Sequence, residues 1–80
     1  MATFRVTTEF VVRDEREFYD KDSPLSAARS AYNVLEADEG DIWLDSNDIY
    51  RFIVVELDEN GHEKQRTKTV FSQNFVEIPF

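Results

Sequence analysis

From Thr3 to Arg13 apolar and polar positions alternate: Phe4, Val6, Thr8, Phe10 and Val12 share one parity, and Thr3, Arg5, Thr7, Glu9 and Arg13 the other. Successive side chains of a strand point to opposite faces, so this spacing predicts a half-buried strand. Val11 alone breaks the alternation and marks a bulge or an extra buried patch. After Ser23-Pro24 the period changes. Leu25, Ala28, Ala31 or Tyr32, and Leu35 recur at helical spacing, with Ala27 and Val34 widening the stripe. Ser23 is a good N-cap, and Pro24 at the first helical position gives up no hydrogen bond that a helix would make. Gly40 suits the left-handed position past a helix end, so the pattern predicts a helix from Pro24 to about Asp38. The intervening Asp14 to Asp22 is expected to be a charged, solvated connector, pinned by one of its two aromatics, Phe18 or Tyr19.

The stretch Tyr50-Arg51-Phe52-Ile53-Val54-Val55-Glu56-Leu57 is crowded with β-branched and aromatic residues and runs into Asp58-Glu59-Asn60-Gly61-His62. It predicts a central strand entering a hairpin, with Asn60-Gly61 suited to the two positive φ angles of a type I′ turn. Such a turn would place Val55 opposite Arg66, Val54 opposite Thr67 and Phe52 opposite Thr69. Phe52, Val54, Thr67, Thr69 and Phe71 would then face the helix, and Lys64, Arg66 and Lys68 would lie over Ile53, Val55 and Leu57 on an open face. Asp41-Ile42-Trp43-Leu44-Asp45 reads as a short strand or extended connector. Phe75, Val76, Ile78 and Phe80 are too apolar for a free tail and predict an edge strand or a docked terminus.

Eighty residues with 41% hydrophobic content limit the chain to one domain, residues 1–80, because so short a chain buries only about 60–65% of its unfolded surface. Seven Phe, three Tyr and one Trp concentrate the apolar area, so a small core can hold without staples. The expected fold is α+β, a single antiparallel sheet of three to five strands with one helix on one face, in β-α-β-β order. The absence of cysteine removes disulfides, thiolate metal sites and Cys nucleophiles. With no apolar run near the ~18 residues of a membrane span, the expectation is a soluble, cytoplasmic protein that does not bind membranes.

The candidate chemistry is thin. The single histidine, His62, lies beside a tight turn, and the two glycines, Gly40 and Gly61, are too far apart for a phosphate-binding loop. Asp45, Asn47 and Glu56 match positions 1, 3 and 12 of a calcium loop, but Tyr50 occupies the position that requires glycine and the rest reads as a strand. No catalytic residue, metal or cofactor is expected, and an enzyme is not.

Charge is more informative. Seventeen acids against nine cations give −8, which disfavours direct binding to DNA. Glu36, Asp38, Glu39, Asp41, Asp45 and Asp48 fall in one run with no Lys or Arg between Arg29 and Arg51. Glu36, Asp38 and Glu39 also crowd the negative end of the helix dipole, each at a cost of about 0.3–1 kcal/mol when exposed. Trp43 lies within the run. Two readings stand: a solvated face with Trp43 closing the core, or an aromatic ringed by acids that engages a protein partner with a basic surface. Lys64, Arg66 and Lys68 form a second, oppositely charged row.

A strand, a helix opened by Ser23-Pro24-Leu25-Ser26-Ala27-Ala28-Arg29 and an Asn60-Gly61 hairpin, within 80 acidic residues, resemble the small βαββ proteins of phages and mobile elements. These include anti-CRISPR and other anti-defence proteins, some of them steric inhibitors or mimics of DNA charge. The resemblance implies a non-enzymatic inhibitor that occupies a nucleic-acid-binding surface through Glu36 to Asp48. The row of Lys64, Arg66 and Lys68 departs from a pure DNA mimic and would meet an acidic partner or an RNA backbone. The alternative is a structural or assembly protein that homodimerises or adds a strand through its C-terminal edge.

The small residues Ala27, Ala28 and Ala31 on the helix stripe predict a close approach of helix to sheet. Ala28→Phe should overpack that interface and lower stability by about 1–3 kcal/mol in chemical denaturation; an unchanged midpoint would place Ala28 away from the sheet.

Overall fold

The structure, a computed structural model, describes residues 1–10, 13–37 and 50–79. These comprise β1 (Ala2–Glu9), β2 (Arg13–Lys21), α1 (Pro24–Ala37), β3 (Arg51–Leu57), β4 (Thr69–Ser72) and β5 (Glu77–Ile78). The five strands form one antiparallel sheet in the order β2-β1-β3-β4-β5, and α1 packs on one face of it. The α+β class, the antiparallel sheet and the one helix among the described residues agree with the sequence pattern. The order of elements does not: two strands precede the helix, giving β-β-α-β-β-β in place of β-α-β-β.

The added strand is the segment expected to be a loop. Arg13 faces Glu9 across an antiparallel pair, and β1 ends at Glu9, short of the Arg13 limit that alternation suggested. Composition obscured β2 because it is an edge strand, where charged side chains are common and guard the open ladder against further pairing. Its half-buried and exposed residues nonetheless alternate. Asp14, Arg16 and Phe18 stand beside Thr8, Val6 and Phe4, and Arg13, Glu15 and Glu17 beside Glu9, Thr7 and Arg5. Phe18 packs against the core, as expected of one aromatic in this stretch, while Tyr19 is exposed. Because β1 is antiparallel to both β2 and β3, the chain leaving β2 crosses the helix and enters β3 parallel to β2, with β1 between them.

The helix begins where its signals place it. Ser23 Oγ accepts from the Ser26 backbone N–H at 3.1 Å, and the Ser23 carbonyl accepts the first helical bond from Ala27. Ala27, Ala28, Ala31 and Leu35 are buried, with Leu25 and Tyr32 packed at the edge of the core. Val34 lies off the stripe, exposed. The alanines let the helix approach Phe4, Val6, Phe52, Val54 and Phe71, which cover the sheet face beneath. The expected Asp41–Asp45 strand, the Gly40 helix stop and Val11 lie outside the described residues.

The hairpin after β3 differs from a type I′ turn. Only Gly61 of the Asn-Gly pair has positive φ, at 81°. Asp58 N–H donates to the His62 carbonyl at 2.8 Å and Gly61 N–H to the Asp58 carbonyl at 3.0 Å. This is a three-residue loop in which a turn is followed by a left-handed bulge residue. Asp58 favours it, since its Oδ1 accepts from the backbone N–H groups of Asn60 (2.8 Å) and His62 (2.9 Å). Leu57 then bridges Glu63, but the regular ladder resumes only at Val54 opposite Thr69, so five residues, 64–68, face Val55 and Glu56. Thr67 covers the gap: its hydroxyl accepts from Glu56 N–H and donates to the Lys64 carbonyl. Phe52 consequently faces Phe71, two residues beyond the register expected from a two-residue turn. An even shift preserves side-chain parity, and Phe52, Val54 and Phe71 all stay on the helix face.

A second hairpin, after β4, repeats this geometry. Ser72 N–H donates to the Val76 carbonyl and Phe75 N–H to the Ser72 carbonyl, while Ser72 Oγ accepts from Asn74 and Val76. The position held by Gly61 in the first turn is here Phe75, with φ 62°. A left-handed conformation costs a side-chain-bearing residue roughly 1–2 kcal/mol. Ring contacts offset it: Phe75 stacks on Phe52 (5.5 Å, 7° between planes) and meets Tyr32 edge-on at 5.8 Å. The Arg29 guanidinium lies 4.8 Å from the centroid of the Phe75 ring. Such pairs contribute about 0.5–1.5 kcal/mol each beyond area burial.

Two outcomes follow. The Thr8 hydroxyl is fully buried and has no hydrogen-bond partner among the described residues. Thr8→Val should therefore raise the denaturation midpoint, by about 1 kcal/mol in stability, and a fall would reveal a partner for the hydroxyl. The Asp58 carboxyl is held below the usual aspartate range, chiefly by the N–H of His62 and also by that of Asn60. Its folded pKa being depressed, its contribution to stability is full above the unfolded value and is lost as pH falls through the folded one. The amide resonances of Asn60 and His62 should titrate together with a midpoint below about 3.9; a midpoint above that value would contradict the turn geometry.

Candidate functional site

The sheet face opposite the helix carries a lattice of ion pairs set by register. Arg13, Glu9 and Arg51 stand side by side on β2, β1 and β3. Glu9 accepts from both arginines at 2.7 Å, and this pulls its carboxyl below the ordinary range, Arg13 having the larger effect. Arg5 reaches Glu63 at 3.2 Å, and Lys64 pairs with Glu56, whose hydrogen bond and charge raise the lysine's pKa. Exposed pairs of this kind stabilise by about 0–1 kcal/mol each and are screened by salt. Their larger consequence is that cations on the described part of the sheet are met locally by acids.

Lys64, Arg66 and Lys68 fall in the five-residue excursion between the Leu57–Glu63 bridge and β4. They border one cleft of about 360 Å³, together with Glu63 and Gln65, and its floor is Thr7, Ile53 and Val55. The predicted neighbourhood of these cations with Ile53 and Val55 is thus present, although the excursion produces it and not a continuous strand. Thr7 and Glu63 were missed because they join the cleft through strand pairing, which no local pattern announces. Arg66 has φ 64°, an uncommon conformation for a long side chain. Lys68 also borders a second hollow of about 430 Å³ with Thr69, Glu77, Ile78 and Pro79.

Of the acidic run, Glu36 lies in the last turn of α1, exposed, where the helix dipole opposes it. Its charge raises the pKa of the Tyr32 hydroxyl one turn earlier, with partial burial and a hydrogen bond to Glu36 adding to the effect. Asp38, Glu39, Asp41, Trp43, Asp45 and Asp48 lie outside the described residues. The flanks of the run are described. Tyr50, the first residue after it, stacks on Tyr32 at 6.5 Å and meets Phe52 edge-on at 5.6 Å. Of the two described residues that flank the run, Ala37 ends α1, and Tyr50 lies in an aromatic cluster that includes Tyr32 of the same helix. No sequence pattern indicated that Tyr32, Tyr50, Phe52 and Phe75 would meet, since the Phe75 turn is needed to bring the last of them in.

Among the described residues no group of three or more His, Asp or Glu is placed to hold a metal. Glu56, the last position of the calcium-loop match, is a β3 residue engaged by Lys64. Among the same residues no helix is long and apolar enough to cross a membrane. No protein-family model, curated protein or solved structure matches this chain.

Proposed function

We propose that this protein acts by binding, as a small acidic inhibitor that occupies the basic, nucleic-acid-binding surface of a protein partner, in the manner of the anti-defence proteins it resembles. The observation that carries this reading is the distribution of charge. All nine cations belong to the described residues, where they are set against twelve acids and several are paired across strands. The remaining five acids, Asp38, Glu39, Asp41, Asp45 and Asp48, follow Glu36 without a single cation. Most of the surplus that makes the chain −8 is thus concentrated in one segment. Placing acids at a helix C-terminus opposes the dipole, and a choice that lowers local stability is more economically explained by a binding role than by folding.

The anchoring of both flanks on Tyr32 and its neighbours supports the same reading, because a segment whose ends are fixed loses less conformational entropy when it meets a partner. A salt-sensitive association with fast capture is the expected behaviour of such a surface.

The test is a tagged full-length chain incubated with lysate of the organism that encodes it, beside a variant carrying Asp38→Lys, Glu39→Lys and Asp41→Lys. The expected result is capture of a nucleic-acid-binding complex that is released as salt rises and is lost in the triple variant, with the circular dichroism of the two proteins unchanged. Capture that survives the reversal, or recovery of the chain's own copies alone, would overturn the proposal and favour assembly through the C-terminal edge.

A further inference from the structure

We infer that the cleft on the sheet face opposite the helix is a second binding site, one that takes an acidic peptide segment bearing aliphatic side chains from a partner protein. Its floor is built from Thr7, Ile53 and Val55, all half-buried with the helix on the far side of the sheet. An aliphatic side chain placed there would remove these residues from water, the main source of affinity in small clefts. The rim supplies Lys64, Arg66 and Lys68, three of the nine cations in a chain of charge −8, gathered within five residues.

The cations are not equivalent. Lys64 is held by Glu56, and Glu63 on the same rim is held by Arg5, so these pairs brace the excursion against the sheet. Arg66 makes no ion pair or hydrogen bond among the described residues, and it stands exposed at the turn. At φ 64° glycine or asparagine would be the less costly choice. A planar guanidinium presents a fork of donors that matches a carboxylate in two parallel hydrogen bonds, which gives a reason for an arginine at a position that disfavours it.

Charge complementarity alone would also admit an RNA backbone. The floor decides between them. Single-stranded RNA is bound largely by stacking its bases on aromatic rings, and the residues lining this cleft include none. A long polyphosphate would also meet the repulsion of the net negative chain, whereas a short peptide need place only two or three carboxylates, each within reach of the rim.

The experiment is selection of a random dodecapeptide library, displayed on phage, against the immobilised full-length chain, followed by fluorescence anisotropy of the enriched peptides in solution. The expected sequences interleave Asp or Glu with Val, Ile or Leu. Arg66→Asn, which suits the left-handed backbone and preserves the fold, should weaken these peptides by about tenfold or more, as expected for loss of a charge-assisted hydrogen bond. The triple reversal at Asp38, Glu39 and Asp41 should leave them unaffected, which separates this site from the acidic run. Enrichment of basic peptides alone, no enrichment, affinity unchanged by Arg66→Asn, or equal binding of oligouridine would each overturn the inference.

Discussion

The shared face that β1 and β3 bury beneath the helix is the constraint on which the other elements depend. Phe4, Val6 and Thr8 on one strand and Phe52 and Val54 on the other are almost wholly removed from water, and each large apolar side chain so buried contributes about 1.5–3 kcal/mol. Ala27, Ala28 and Ala31 above them let the helix approach closely enough to exclude water. β2 and β4 extend this pair on either side, and neither could form a stable ribbon without it.

The two hairpins on the β4 side show one backbone geometry reached by different means. In the first, Gly61 takes the left-handed position at no steric cost and Asp58 caps the turn with its carboxylate. In the second, Ser72 provides the cap and Phe75 accepts the unfavourable φ. The difference is tertiary. Gly61 is exposed and touches nothing that would reward a side chain, whereas Phe75 lands against Phe52, Tyr32 and Arg29. Strain at one backbone position is offset by ring contacts drawn from the helix and from β3. The same cluster receives Tyr50, and so fixes the point where the acidic segment rejoins the sheet.

Charge follows the layers. On the face opposite the helix, acids and cations alternate across neighbouring strands, as in the Arg13–Glu9–Arg51 row, so that a chain of strongly negative net charge keeps much of its described sheet locally neutral. Two stretches of one sign stand apart from this pattern in the sequence, acids in the run that begins at Glu36 and cations at Lys64, Arg66 and Lys68.

The sequence by itself determined whatever depends on neighbours in the chain. Alternation marked β1 and its inward residues, Ser23-Pro24 and the alanine stripe marked the helix and its buried face, and β-branched density marked β3. The concentration of acids from Glu36 to Asp48 is a fact of order alone, as is the cluster of Lys64, Arg66 and Lys68. Tertiary structure decided what depends on distant partners. Edge position, more than composition, made a strand of the charged stretch 13–21, since pairing with β1 supplies hydrogen bonds that propensity does not foresee. The side-chain cap of Asp58 converted an expected two-residue turn into a bulged one, and Thr67 absorbed the resulting mismatch, so the register moved while the buried parity survived. The cleft and the aromatic cluster each gather residues more than forty positions apart, Thr7 with Arg66 in the one and Tyr32 with Phe75 in the other, and no local pattern encodes a separation of that length.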